Sequence, residues 1–306
     1  MTAARALGRL ARWTVLAALV ALVVPAASVR PATITLTTVE RASAVDFGED
    51  DVVWVLVLGS DAKGSTPVDK GNTDAIQLLG FDMDTGSAAG IGIPRDSWVE
   101  LPDGFARINE ALAQGGPELA AEAVADLVGI TPQLVLVTAM DGFIDITDAV
   151  GGVDVESDKA FVTDSGDLRV TRGTNHFDGA EALDYARTRR NLDGGDFERA
   201  AHHQALLLGY LRGLRDRADE EGFMERTALA ALGGLESDLA PTDLYRLAQA
   251  VTQVDPERVT GCIIGGTDGT TEGGAQIIYP DTAQARALGN DAEGDARLQR
   301  GCQAGS

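Results

Sequence analysis

The chain has 306 residues, of which 44% are hydrophobic and 24% charged, and its formal net charge is −22. This length can bury one large core or two modest ones, and the composition is that of a globular protein. The acidic balance argues against a general nucleic-acid-binding protein, which needs a basic surface to displace the counterions of phosphate. We therefore expect no nucleic-acid partner, although a local basic site could still attract an anionic ligand.

The N-terminal residues carry the clearest topological signal. Residues 1–12 are basic, and residues 13–29 are almost entirely apolar, at the short end of the length that crosses a bilayer as a helix. Because the positive charges precede the apolar segment, we expect residues 1–12 in the cytoplasm and a cell membrane that the chain spans once. A cleaved signal peptide is the alternative, since the small residues 26–28 follow Pro25.

The rest of the chain divides by composition. Residues 30–50 are rich in Thr and then in acidic residues, which favours a stalk between the membrane and the folded body. Residues 51–306 are predicted to form one extracellular domain, with a core over 52–215 and a C-terminal extension over 216–306.

The first element of the body is an apolar run, VVWVLVLGSD at residues 52–61. Such a run is typical of a strand buried on both faces at the centre of a sheet. Short apolar segments then alternate with helical patterns of ten or more residues, which predicts an α/β layered fold. Further strands are predicted at residues 73–82, 90–93, 134–137, 153–155 and 259–264, and helices at 118–129, 141–150, 180–186, 239–254 and 281–299. Residues 265–274 are rich in Gly and are predicted to form a loop.

Two aspartates flank the loop between the first two predicted strands. Asp61 follows the first strand and Asp74 begins the second, so we expect both carboxylates at one edge of the sheet. Paired carboxylates without a neighbouring His or Cys suit a hard cation such as Mg²⁺, which keeps waters and shares phosphate oxygens. Solvated loop carboxylates are the alternative in so acidic a chain.

Four arginines cluster against this acidic background, at positions 187, 189, 190 and 199. A guanidinium group matches phosphate oxygens in a bidentate way, so the cluster indicates a site for a highly charged anion. Asp196 is predicted to be the N-cap of a long helix, with Arg199 in its first turn beside the free N–H groups. His203 shares a helix face with Arg199. Surface ion pairs are the alternative explanation of the arginines.

Several site types are excluded by missing motifs. The three histidines lack ligand spacing for zinc, and no G-x-S-x-G sequence supports a catalytic triad. The Gly-rich stretches match neither a P-loop nor a dinucleotide fingerprint. Cys262 and Cys302 form a disulfide in an exported domain or remain as two free thiols.

Six short motifs follow one another in a fixed order. They are Leu58-Gly59-Ser60-Asp61, Thr73-Asp74, Ile93-Pro94-Arg95-Asp96, Arg107-Ile108-Asn109, Tyr185-Ala186-Arg187-Thr188-Arg189, and Gly195-Asp196-Phe197 with Arg199. In this order, over about residues 52–215, the chain resembles the LytR-CpsA-Psr family of exported cell-wall enzymes. The resemblance implies a three-layer α/β/α domain with a central mixed sheet that holds a polyprenyl chain in an apolar tunnel. It also implies transfer of a glycopolymer from a polyprenyl-pyrophosphate carrier onto peptidoglycan, with Mg²⁺.

The resemblance assigns a role to each matching residue. Asp61 and Asp74 correspond to the metal carboxylates. The catalytic group that it implies is Arg95, Asp96, Arg187, Arg189 and Arg199, of which the arginines hold the pyrophosphate. Arg107, Asn109, Asp196 and His203 complete the implied substrate-binding residues. The general base is left open between Asp61 and Asp96.

The chain also departs from the family pattern. Asn72 stands where an arginine is usual, Lys63 lies near another such position, and His203 replaces a common Gln. These changes affect the specificity for the donor or the acceptor more than the type of reaction. Two other functions use the same site: a pyrophosphatase of the carrier lipid, with water as acceptor, and a non-enzymatic membrane sensor or attenuator that binds polyprenyl phosphates.

Overall fold

A mixed seven-stranded sheet forms the centre of the structure, a computed structural model. The structure describes residues 34–38, 52–64, 66–82, 84–223, 226–227, 235–237, 247 and 251–299, with the backbone alone at 34–38 and 235–237. Outside these residues lie the predicted cytoplasmic segment 1–12, the apolar segment 13–29, Cys302, and the predicted helix 239–254 except at residues 247 and 251–254. In the part of the chain that is described, no helix has the length and hydropathy needed to cross a membrane.

Groups of strands are separated by helices along the chain. In chain order they are β1 (Ile34–Thr38), β2 (Val52–Ser60), β3 (Thr73–Asp82), β4 (Ala88–Gly92), β5 (Trp98–Leu101), β6 (Gly104–Arg107), α1 (Ala111–Val128), β7 (Leu134–Ala139), α2 (Met140–Ala149), β8 (Val153–Ser157), β9 (Phe161–Val162), β10 (Arg169–Val170), β11 (Gly173–Phe177), α3 (Gly179–Arg187), α4 (Gly195–Asp216), β12 (Leu235–Ser237), β13 (Val259–Ile263), β14 (Gly266–Thr270), β15 (Gln276–Pro280) and α5 (Thr282–Ala292).

The sheet order is β12-β1-β7-β2-β3-β4-β13. β2 runs parallel to β7 and antiparallel to β3, and β4 runs antiparallel to β3 and parallel to β13. The remaining strands pair as short hairpins and ribbons, β5 with β6, β8 with β11, β9 with β10 and β14 with β15. The prediction of a mixed α/β sheet with residues 52–61 at its centre is confirmed.

Each face of the sheet packs against helices. Side chains alternate along β2, so Trp54 and Leu56 face the cluster formed with α1 and α5, whereas Val53 and Val55 face Leu211 of α4. Burial on both faces explains the unbroken apolar sequence of the strand. The three layers are therefore α1 and α5, the sheet, and α4 with its neighbours.

Local sequence explains where the helices begin and end. Asp178 and Glu181 form a reciprocal capping box at the start of α3. Gly129 takes a left-handed conformation (φ 97°) and ends α1, and Gly116 breaks the same helix just before Pro117.

Three sequence predictions were wrong in detail. Within the predicted loop 265–274, residues Gly266–Thr270 form strand β14, which pairs with Gln276–Pro280, and only residues 271–274 form the turn between these strands. The final helix ends at Ala292 and does not reach residue 299. Within the predicted stalk, residues 34–38 form β1, which pairs with β7 and β12. Of the two alternatives for the cysteines, the structure supports the disulfide, because Cys262 is buried and disulfide-bonded.

Candidate active site

The two predicted metal carboxylates lie at the same end of the antiparallel pair β2 and β3. Gly59 pairs with Ala75 but Ser60 pairs with Thr73, so Asp74 is the extra residue of a β-bulge. Asp61 is held beside this bulge by Asn72: its backbone N–H donates to the Asn72 carbonyl (2.8 Å), and its Oδ1 accepts from the Asn72 N–H (2.8 Å). The predicted adjacency of the two strand ends is confirmed.

The turn after β4 brings Arg95 to this edge. Its backbone N–H donates to Asp196 Oδ2 at 3.1 Å, and its carbonyl accepts from the Asn109 N–H at 3.2 Å. Its guanidinium group hydrogen-bonds the carboxylate of Asp74. Arg95 therefore connects the bulge, the segment after β6 and the start of α4.

Asp96 collects three guanidinium groups. Its Oδ2 lies 3.2 Å from Nη2 of Arg189, and its Oδ1 lies 3.7 Å from Nε of Arg95 and 3.8 Å from Nη1 of Arg107. The Asp96 side chain is only 5% exposed. Arg107 also pairs with Glu110 at 3.0 Å. Only the Arg189 contact is a hydrogen bond, because Oδ1 of Asp96 and Nε of Arg95 have no hydrogen-bond partner among the described residues. The buried carboxylate therefore orients Arg189 directly and attracts Arg95 and Arg107 as longer ion pairs.

A second, more buried ion pair joins Asp196 to Arg199 on α4. Burial raises the pKa of Asp196 above its ordinary value although Arg199 opposes the change, and burial lowers the pKa of Arg199 although Asp196 opposes it. Each charge therefore depends on the other, and loss of one partner would leave an isolated buried charge.

The structure corrects the predicted start of this helix. The N-cap is Gly194, not Asp196, and no side chain caps it. Asp196 lies in the first turn and turns inward to Arg95 and Arg199, because the Arg95 N–H and a guanidinium group satisfy its oxygens. Arg199 follows one turn into the helix.

Two glutamines that the sequence analysis did not select attach α4 to the sheet. Gln77, 1% exposed, donates to the Ala200 carbonyl at 3.2 Å. Gln204 donates to the carbonyls of Gly90 and Cys262, both at 3.0 Å. The only signal in the sequence was a polar residue inside an apolar strand, at Gln77. These bonds place Arg199 of α4 over the strand ends.

The loop after α3 is held by Asp164, which the sequence analysis also missed. Its carboxylate accepts the backbone N–H groups of Arg189, Arg190 and Asn191 at 3.0–3.1 Å. Desolvation would raise the pKa of Asp164, but these three donors outweigh it and lower the pKa below its ordinary value. A turn residue such as Asp164 gives no sequence signal of this long-range contact. The result is a fixed backbone at Arg189.

Arg187 is placed differently from the other predicted arginines. It is the last residue of α3, whereas Arg189 lies in the loop that follows, so the two side chains do not leave one extended segment. Its side chain is exposed, and it makes no ion pair with a carboxylate in the described residues. Arg190 is likewise exposed.

Two further predicted residues lie within the cluster. Asn109 is 4% exposed, its carbonyl accepts from Thr73, and its Oδ1 has no hydrogen-bond partner among the described residues. His203 hydrogen-bonds the Ala186 carbonyl at 2.9 Å. Burial, reinforced by the charge of Arg199, lowers the pKa of His203 to about 4, so the imidazole is neutral at pH 7.

The carboxylates fit a metal that substrate oxygens help to bind. Asp61 and Asp74 each engage one oxygen, with Asn72 and Arg95 respectively, which leaves the other oxygen of each carboxylate. Within the described residues, no group of three or more His, Cys, Asp or Glu side chains could hold a metal by itself. Two carboxylates plus phosphate oxygens and water are the donor set that Mg²⁺ takes in phosphoryl-transfer sites.

The α4 side of the sheet carries apolar side chains that are not all fully buried. Val53 and Val55 of β2 are buried there, whereas Val57, Leu79 and Leu136 are partly buried and pack against the same cluster. Leu79 lies opposite Val55, and Leu136 lies opposite Val57. Interior positions of a central sheet are ordinarily sealed by packing, so this face offers incompletely buried apolar surface.

The comparison with protein families supplies an identity for this constellation. The model of the LytR_cpsA_psr family matches residues 27–293. The chain belongs to this family. The family match includes every motif listed above, so the sequence resemblance is confirmed.

Curated relatives match over a shorter segment. The TagU polyisoprenyl-teichoic acid–peptidoglycan teichoic acid transferase of Bacillus anthracis is 31% identical over 166 residues, which cover 54% of this chain and 53% of that protein. The Bacillus licheniformis TagU is 29% identical over 174 residues, 56% and 55% of the two chains. The matches span about half the length of these relatives.

Solved structures share the fold of the family member described here. B. subtilis TagV superposes with a TM-score of 0.69 and 23% identity over 82% of this chain and 99% of that one. The family protein YwtF (TagT) with bound octaprenyl pyrophosphate superposes with a TM-score of 0.62 and 22% identity, over 85% and 95%.

Proposed function

We propose that this chain is a Mg²⁺-dependent phosphotransferase that moves a glycopolymer from a polyprenyl-pyrophosphate carrier onto peptidoglycan. The observation that carries the proposal is the convergence of Arg95, Arg107 and Arg189 on Asp96, beside Asp61 and Asp74. Guanidinium groups suit pyrophosphate oxygens, and the partly buried apolar face of the sheet suits a polyprenyl chain. The TagU relatives are named as transferases of teichoic acid to peptidoglycan, which supports the same reaction class.

The reaction needs positioning and charge neutralisation more than covalent help from the protein. A hydroxyl oxygen of the acceptor attacks the phosphorus that bears the glycan, the bond to the bridging oxygen breaks, and polyprenyl phosphate leaves. Asp61 and Asp74 would hold Mg²⁺, which would neutralise part of the negative charge of the pyrophosphate. The arginines orient the pyrophosphate and stabilise the charge that grows on the leaving group. The general base that takes the hydroxyl proton stays open between Asp61, whose oxygens face Asn72 and the proposed Mg²⁺, and Asp96, whose Oδ1 has no hydrogen-bond partner among the described residues.

The topology belongs to the same proposal. With residues 13–29 in the cell membrane and the folded body outside it, both the carrier lipid and the peptidoglycan acceptor would be within reach. The acidic charge of the body supports an absence of nucleic-acid partners.

A product assay tests the proposal. Full-length protein is incubated with a polyprenyl-pyrophosphate-linked oligosaccharide, un-cross-linked peptidoglycan and Mg²⁺, and the products are separated by mass. We expect polyprenyl phosphate and a glycan joined to peptidoglycan through a phosphodiester. Release of glycan phosphate into water, equal with and without peptidoglycan, would show a pyrophosphatase. Binding of the donor without any turnover would show a sensor.

A further inference from the structure

Exposed aromatic side chains concentrate beside the arginine site. Among the described residues, the large hydrophobic side chains that are exposed are Phe105, at 61%, and Tyr279, at 51%. The Phe105 ring stacks on Trp98, with centroids 6.4 Å apart and an angle of 21° between the rings. We propose that Trp98, Phe105 and Tyr279, here called the aromatic corner, bind the pyranose rings of a glycan chain next to the reaction site. This inference rests on the proposed function.

The hairpin of β5 and β6 connects the aromatic corner to the site. Trp98 pairs across the hairpin with Arg107, and Glu100 pairs with Phe105. Side chains alternate along a strand, so these four residues share one face. Arg107 is one of the three arginines around Asp96, at 3.8 Å. The face therefore runs without interruption from the reaction site to an exposed ring.

The other face of the hairpin supports the fold. Val99, Leu101 and Ala106 pack against the main hydrophobic cluster of the domain. The core is thus complete without the rings of the outer face. Exposed rings that add nothing to the core indicate a binding surface, since free aromatic surface in water is unfavourable.

Tyr279 reaches the same corner from the C-terminal part of the domain. The N–H of Ile278 donates to the Asp96 carbonyl at 2.8 Å, and Ile278 forms a parallel bridge with Ser97. Tyr279 and Trp98 are the next residues on the two strands. The hairpin of β14 and β15, which the sequence did not predict, is therefore attached to the backbone of the site.

The chemistry of this corner favours sugar over lipid. A pyranose has a face of C–H groups with partial positive charge, which packs on the negative face of an aromatic ring. Glu100 lies opposite Phe105 on the same face of the hairpin, and the exposed Asp103 lies in its turn, so both can accept hydrogen bonds from hydroxyl groups. Glu110, which pairs with Arg107, adds a third carboxylate near this hairpin. The same carboxylates would be repelled by the anionic surface of a membrane.

Titrations of full-length protein in detergent test the aromatic corner. The three probes are soluble peptidoglycan glycan strands without stem peptides, polyprenyl pyrophosphate carrying a disaccharide, and polyprenyl pyrophosphate without sugar. The variants are Phe105→Leu and Tyr279→Leu, which keep apolar bulk and remove a ring, and Phe105→Tyr, which keeps the ring.

We expect both Leu variants to bind at least one sugar-bearing probe tenfold or more weakly, and to bind the sugar-free lipid as the wild type does. Phe105→Tyr should stay within twofold of the wild type. Lower affinity for the free glycan strands would show that the aromatic corner binds the acceptor. Lower affinity for the lipid that carries a disaccharide would show that it binds the donor. Unchanged affinity of both Leu variants for both sugar probes would overturn the inference, including when their binding to phosphatidylglycerol vesicles falls. If the wild type fails to bind the sugar-free lipid, the proposed function fails alone, because the free strands still test the corner.

Discussion

Oδ2 of Asp96 lies 3.2 Å from Nη2 of Arg189, although 93 residues separate them in the chain. The contact joins the turn after β4 to the loop after α3, and Asp164 fixes that loop from its other side. A carboxylate that the sequence presents as a possible base is thus the residue that holds the arginines together.

Removal of the charge at Asp96 should loosen three arginines at once. We expect Asp96→Asn to lower the free energy of unfolding by about 1–3 kcal/mol, because the guanidinium groups that face Asp96 lose their charged partner. Affinity for polyprenyl pyrophosphate should fall, because Arg189 loses the hydrogen bond that orients it and three arginines lose their shared counterion. In Asp74→Asn, by contrast, only Arg95 is released and Asp96 still faces it. Chemical denaturation and lipid titration measure the two effects. Asp103→Asn, at an exposed position in the turn between β5 and β6, is the control. It should change neither the free energy of unfolding nor the affinity for the lipid. Wild-type affinity in Asp96→Asn would contradict a positioning role.

The geometry predicts unequal roles for Arg187 and Arg189. Lysine keeps the charge but loses the planar fork, so Arg189→Lys should cost about 1.5–3 kcal/mol of transition-state stabilisation, roughly ten- to hundredfold in kcat/KM. Arg187→Lys should lose much less, because Arg187 is exposed and separate from Asp96. Parallel measurement of kcat/KM for both variants checks this order. Equal losses would show that Arg187 reaches the substrate after all.

Replacement of Asp74 should separate metal binding from anion binding. Asp74→Asn removes a proposed Mg²⁺ ligand and also frees Arg95 from its carboxylate partner. We expect turnover to fall at least about a hundredfold, the order of loss of one electrostatic stabiliser, while binding of polyprenyl pyrophosphate without Mg²⁺ is retained or strengthened. Asp69→Asn, in the same loop and paired with Lys70 at 3.5 Å, is the matched control. Activity within about threefold of wild type, together with insensitivity to EDTA, would reject the metal site.

His203 should make stability depend on pH in a defined window. Its pKa is about 4 when folded and 6.5 ordinarily, so below pH 6.5 the unfolded chain binds a proton that the folded chain does not. Stability is therefore full above pH 6.5 and declines down to pH 4, by at most about 3 kcal/mol. His203→Gln should lack this decline, whereas the opposite contribution of Asp196 is common to both proteins. Parallel unfolding curves of the two proteins between pH 4 and 7 measure it. Identical slopes would show that His203 titrates normally.

The sequence was sufficient for features that depend on local pattern. The apolar run at β2 required a buried central strand, and that placed Asp61 at a strand end beside Asp74. The break at Gly116 and the stop at Gly129 followed from backbone preferences alone. Such signals act over a few residues and can be read without tertiary contacts.

The features that the sequence did not reveal are contacts between distant segments. The hairpin of β14 and β15 forms from a Gly-rich stretch because its strands pair with each other and Ile278 bonds to Asp96. The inward turn of Asp196 depends on Arg95, a hundred and one residues earlier. Local propensity predicted that Asp196 caps α4, but in the fold its carboxylate binds Arg95 and Arg199 instead.

The pairing of site arginines with carboxylates has a consequence for the proposed ligand. Arg95, Arg107, Arg189 and Arg199 each face a carboxylate. A polyanion without a metal would gain little from guanidinium groups whose charge is already compensated. A pyrophosphate that arrives with its own divalent cation would offer the freed carboxylates a new partner. Under the proposed function, these internal counterions would therefore favour a metal-bearing pyrophosphate over other anionic polymers.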